Sequence, residues 1–155
     1  MFQALILLKT LSKMIAPLIV KNEIVINANA AKVWDALVNP AQTKKYMFGC
    51  ETVSDWQVGS KLDWRGNYEG QEMVFVTGRI INIISERLLA YTTFDPNGMI
   101  EDILENHTTV TYSLESAENL TLLRVTQGDF STVADGQRRF EEVYNNGEGW
   151  QPILA

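Results

Sequence analysis

His107 is the only histidine of the chain and Cys50 its only cysteine, so acid–base or nucleophilic chemistry has to start from these two side chains. An imidazole titrates near neutrality and suits a general acid or base at a cavity mouth. His107 stands at the start of a predicted strand with Thr109 and Thr111 on its side, and the neighbouring sequence offers no partner that would tune it. The simpler reading is a half-exposed strand residue bonded to a nearby threonine. Cys50, in "MFGCETV", has no cationic neighbour to lower its pKa and reads as a buried, inert thiol. Glu101, Asp102 and Glu105 in "NGMIEDILENH" could hold a hard cation beside His107, but they lack calcium-loop spacing and read as a solvated acidic loop. Glu69, Glu72 and Arg79 are candidate cavity-rim charges. There is no phosphate-binding glycine loop, zinc-ligand spacing, nucleophile elbow or dinucleotide fingerprint. No catalytic residue, metal ligand or cofactor is assigned.

What could position such groups is legible in the periodicity. "LIVKNEIVIN" (18–27) alternates as a strand. Asn29 then stands where an N-cap belongs, and Ala30 to Leu37 continue as a helix with Val33, Ala36 and Leu37 on one face and Trp34 at its edge. Asn39-Pro40 ends this helix, and Pro40 opens a second short one that runs to Tyr46. Strands are predicted over 61–66, 72–85, 87–94, 107–116 and 120–130, with a bulge or bend at Gly78 and a tight hairpin at Ala117-Glu118-Asn119. "KLDWRG" places Leu62 and Trp64 on one side and Lys61, Asp63 and Arg65 on the other. Residues 133–154 read as a helix, loosened near Gly147 and Gly149, that puts Trp150, Ile153 and Leu154 on one face.

Composition narrows the field. At 155 residues, 46% of them hydrophobic and 21% charged, the chain is one ordinary globular domain. A net charge of -6 with only Lys44-Lys45 as a basic pair near an aromatic argues against nucleic acid as a partner. A single cysteine fits a reducing cytoplasm. The apolar run from Ala4 to Leu8 is too short to span a bilayer, and its lysines follow the run, unlike those of a secretory signal. Residues 1–17 are therefore expected to be an N-terminal extension and 18–155 the domain. Two sequons, at Asn106 and Asn119, carry no weight without secretion.

One strand, two short helices, a run of antiparallel strands and a long C-terminal helix is the order of the START-like, helix-grip fold (α+β). The likeness extends to sequence blocks: "INANAAKVWDALVNPAQTKKYM", "VGSKLDWRG", "GRIINIISERLLAYTTF", "TTVTYSLESAENLTLLRVTQGDF" and "GEGWQPIL". They resemble the family typified by the C-terminal domain of the heat-shock protein 90 ATPase activator, within the SRPBCC superfamily of birch-pollen-allergen-like proteins. The resemblance implies a curved sheet wrapped around the last helix, with the Trp34 helix plugging one end. It would bring Trp56, Trp64, Tyr68, Phe75, Tyr91, Phe94 and Trp150 around one hollow, with Arg79 and His107 among them. These nine residues are the candidate ligand-binding cavity, although the same rings could fill an ordinary core. The expected function is non-catalytic binding of a small hydrophobic or amphipathic molecule. The alternatives are a co-chaperone-like protein that binds a chaperone and a polyketide cyclase- or aromatase-like enzyme.

Overall fold

The computed structural model describes residues 16–154. The chain runs β1 (Val20–Ile26), α1 (Ala30–Val38), α2 (Pro40–Tyr46), β2 (Glu51–Ser54), β3 (Lys61–Tyr68), β4 (Gln71–Ile84) and β5 (Leu88–Thr93), then β6 (Thr108–Ala117), β7 (Leu120–Gly128), α3 (Gly136–Tyr144) and α4 (Gln151–Leu154). All seven strands belong to one antiparallel sheet in the order β1-β7-β6-β5-β4-β3-β2. From β2 to β7 the sheet is a meander of sequence neighbours, and β1 closes it from the far end by pairing with β7. This is the helix-grip architecture expected from the order of elements. The extension expected over 1–17 lies, up to residue 15, outside the described residues. Among the described residues no helix is long and apolar enough to cross a membrane.

The two short helices form where their caps require. The Asn29 side chain accepts the Lys32 amide at 2.9 Å, and that of Asn39 accepts the Ala41 amide at 3.0 Å. Pro40 occupies the first turn of α2, where a missing N–H is no loss. Buried threonines tie the helices to the sheet. Thr43 accepts the Thr52 amide at 3.2 Å, while the Thr52 hydroxyl donates to the Val38 carbonyl at 3.1 Å. Val33 and Leu37 are buried, as their spacing predicts, but Trp34 is only half-buried at the edge of the core. The plug is thus made by the aliphatic stripe, with Trp34 as its rim.

Two features of the sheet shape the interior. β4 carries its first half alongside β3 and its second half alongside β5, and the turn between them falls at Gly78. There β5 passes so close that a Cβ on residue 78 would lie 1.6 Å from the Thr92 carbonyl oxygen. The second feature is the interruption of the C-terminal helix. Asn145, Asn146, Gly147 and Gly149 all take left-handed φ, so the chain breaks after α3 and restarts as the single turn α4. The long helix expected over 133–154 is therefore two pieces, and the first begins only at Gly136. Strand β2 has no counterpart in the sequence reading: four residues with a half-buried pattern give too short a signal.

Candidate functional site

A hollow of about 640 Å³ lies between the sheet and the C-terminal helical segments. Trp64 on β3, Phe75 and Val76 on β4, Tyr91 on β5 and Val110 on β6 form its floor. Val143 of α3, with Trp150 and Ile153, covers it, and Met47, Phe48 and Cys50 stand at the end nearest α2. Alternation puts these residues inside: Trp64 and Leu62 are both nearly fully buried, whereas Lys61 on the opposite face is exposed. Asp63, on that opposite face, is itself buried and accepts the Thr77 hydroxyl at 2.6 Å, with Lys61 and Arg65 within 3.7 Å. A smaller hollow of about 320 Å³ adjoins the first, bounded by α1, Tyr46, Tyr112 and Leu123. Trp150 and Ile153 wall both hollows.

Trp150 is held from three sides. Its ring meets Tyr112 edge-on at 5.9 Å, and its indole N–H donates to the Gln127 side-chain oxygen at 3.1 Å. Its backbone N–H donates to the side chain of Asn22 at 2.8 Å, while Asn22 donates to the Glu148 carbonyl at 3.0 Å. One asparagine on β1 thus clamps the restarted helix onto the sheet. Below Trp150 the rings of Trp64, Tyr91 and Tyr112 follow one another at 6.4 and 6.0 Å. These walls are apolar, with sparse polar groups. Among the described residues Glu142 is the one charged side chain on the larger hollow, and it pairs with Arg138 at 2.6 Å towards solvent.

Of the nine residues expected to line one cavity, the structure brings Trp64, Phe75, Tyr91 and Trp150 together there and places five elsewhere. Tyr68 ends the β3–β4 hairpin and is exposed. Trp56 sits half-buried in the loop after β2, packed on the core without reaching the hollow. Arg79 pairs in register with Lys61, on the face of the sheet opposite Trp64. His107 and Arg79 line a separate polar groove of about 250 Å³ on that face. Phe94 follows them, stacked on the imidazole at 5.0 Å and 8°. Gln127, Met47, Phe48 and Val110 were missed. Gln127 follows two buried positions at period two, Leu123 and Val125, and that alternation was the signal available for it.

His107 is more constrained than a half-exposed strand residue. Its side chain is 11% exposed; Asp102 accepts from the ring Nε2–H at 2.6 Å, which leaves Nδ1 to accept from the Thr92 hydroxyl at 3.3 Å. That hydroxyl already accepts the Arg79 amide at 2.9 Å, so the trio splices the loop before β6 to the bend in β4. The threonine partner lies across the sheet and not beside His107 on its own strand. Replacing His107 with Ala should lower stability by about 1–2 kcal/mol, a value a urea melt resolves.

Three phenols face the interior, and burial pushes each above its ordinary value: Tyr46, Tyr91 and Tyr112. A phenol with a raised folded-state pKa keeps its full contribution below the unfolded value of about 10, and loses it as pH rises towards the folded value. Melting temperature should therefore fall through the range above about pH 10, and these three tyrosines should ionise only as the protein unfolds. Absorbance of phenolate followed alongside circular dichroism checks this. Burial also raises the Cys50 thiol, which keeps it protonated.

The family described as Activator of Hsp90 ATPase homolog 1-like protein matches residues 27–155. A protein from Cytophaga hutchinsonii of known solution structure is 34% identical, with 88% of this chain and 92% of that one covered and a TM-score of 0.64. An HSP90 activator from Plasmodium falciparum shares the fold at 14% identity, with 88% and 95% covered and a TM-score of 0.60. The Aha1 dimer from Colwellia psychrerythraea does so at 18% identity, with 88% and 90% covered and a TM-score of 0.60. No curated protein matches the chain.

Proposed function

We propose, from the premise that this chain belongs to the Activator of Hsp90 ATPase homolog 1-like protein family, that it is a non-catalytic binding protein. Its cargo is a small apolar or amphipathic molecule held between the sheet and the C-terminal helical segments. The observation that carries the reading is the hollow of about 640 Å³ walled by Trp64, Phe75, Tyr91 and Trp150. Its size falls in the range of roughly 300–1,000 Å³ usual for small-molecule sites, and apolar walls with few polar groups suit such a ligand. In the polar groove around His107 the Thr92 hydroxyl is buried and engaged on both sides, by the Arg79 amide and the imidazole.

Native mass spectrometry of the purified protein, followed by titration with sterols, aromatic polyketides and fatty acids, tests this. Bound mass, or a shift in tryptophan emission with a rise in melting temperature, is the expected result. Emission and melting temperature unchanged by every compound would overturn it. The family description supports a second reading, a co-chaperone-like role through the protein surface. Capture of an Hsp90-type chaperone by the folded protein, undiminished when the hollow is filled, would favour that role.

A further inference from the structure

The polar groups of the interior can be counted proton by proton. The indole N–H of Trp150 is spent on Gln127, and Gln127 donates in turn to the Thr108 hydroxyl at 3.3 Å. The two phenols are different. Tyr91 is 2% and Tyr112 3% exposed, their oxygens are 3.3 Å apart, and neither hydroxyl has another partner among the described residues. Two O–H groups share one hydrogen bond, so one hydroxyl proton has no protein acceptor among the described residues. Tyr91 faces the larger hollow and Tyr112 the smaller. When Tyr112 donates to Tyr91, the surplus proton belongs to Tyr91, the phenol that lines the larger hollow.

We infer that the molecule held in the larger hollow is not an anion and carries an acceptor oxygen, of the ketone, ester or amide kind, which takes the hydroxyl proton of Tyr91. This rests on the reading of that hollow as a ligand site and narrows it. The exclusion of an anion follows from the walls. Among the described residues they contain no lysine, arginine or histidine, and their one charged group, Glu142, is negative. A carboxylate brought into this space would be desolvated without a counter-charge. An acceptor on the ligand completes a chain from Tyr112 to Tyr91 to ligand, and each bond in such a chain polarises the next. Burial keeps both phenols protonated, and hence able to donate, across the physiological range.

Calorimetric titration with three probes of one shape tests the assignment: acetylnaphthalene, isopropenylnaphthalene, in which a methylene replaces the carbonyl oxygen, and naphthoate. The unmodified protein should bind the ketone about tenfold more tightly than the alkene, with naphthoate the weakest. Tyr91→Phe should erase the preference for ketone, bringing the ratio of ketone to alkene affinity to about one. Tyr112→Phe should keep it, because Tyr91 then retains its own proton. Equal affinity for ketone and alkene, a preference that survives Tyr91→Phe, or tight binding of naphthoate would each overturn the inference and leave the pocket reading standing. Failure of all three probes to bind would overturn both. Should Tyr91→Phe lose alkene binding as well, the hollow itself has been disturbed; loss of the preference in Tyr112→Phe, with alkene binding retained, would then overturn the inference, and its persistence would sustain it.

Discussion

Replacing Gly78 with alanine should destabilise the protein by upwards of about 4 kcal/mol or prevent its soluble expression. The added methyl would stand 1.6 Å from the Thr92 carbonyl oxygen and 2.5 Å from its carbon, distances no rotamer change relieves because both atoms are backbone. The strands would have to part. Parting them breaks the paired hydrogen bonds between Thr77 and Phe94, at 2.9 and 2.8 Å, and the bond from the Arg79 amide to Thr92. Chemical denaturation of Gly78→Ala against the unmodified protein measures the loss. A change below about 1 kcal/mol would mean that β4 and β5 do not cross this closely.

Trp150→Ala should be the second severe substitution, at about 3–5 kcal/mol. It removes a ring that is 7% exposed, strips Gln127 of its indole partner and leaves Tyr112 without its edge-on neighbour. It also deletes a wall common to both hollows, so a bulkier apolar dye should bind the variant better relative to a small one. Trp34→Ala is the control. That ring is half-buried, and its truncation should be felt at about half the magnitude. Thermal melts of the two variants order them directly, and the reverse order would mean that the α1 rim and not the α4 lid carries the interior.

The order of elements was legible because it rests on strong local signals: strand alternation, the Asn29 cap and Asn39-Pro40. Gly78 was legible as a bend but not as a crossing, since the close approach depends on residue 92 of another strand. The cavity was legible only in part. Period-two alternation identified Trp64, and the family resemblance supplied Tyr91; Arg79 was assigned without alternation, although it alternates with the buried Ile80 and so points to the other face. His107 and Phe94 were drawn inward by their chemistry, whereas His107 lines the polar groove and Phe94, with the parity of Thr92 and not of Tyr91, stacks on its ring. Pairing of two hydroxyls across neighbouring strands leaves no mark on either strand's own sequence.

The clamp made by Asn22 has a kinetic side. Asn22 and Trp150 are 128 residues apart, and β1 meets its partner β7 over a similarly long stretch of chain, whereas β2 to β7 join one another only as sequence neighbours. Contacts of such high order close late, after the local hairpins have formed. On a ribosome β1 would emerge before the other strands and wait for β7 before it could pair. The meander comes early, and the roofed hollow is the final thing the chain completes.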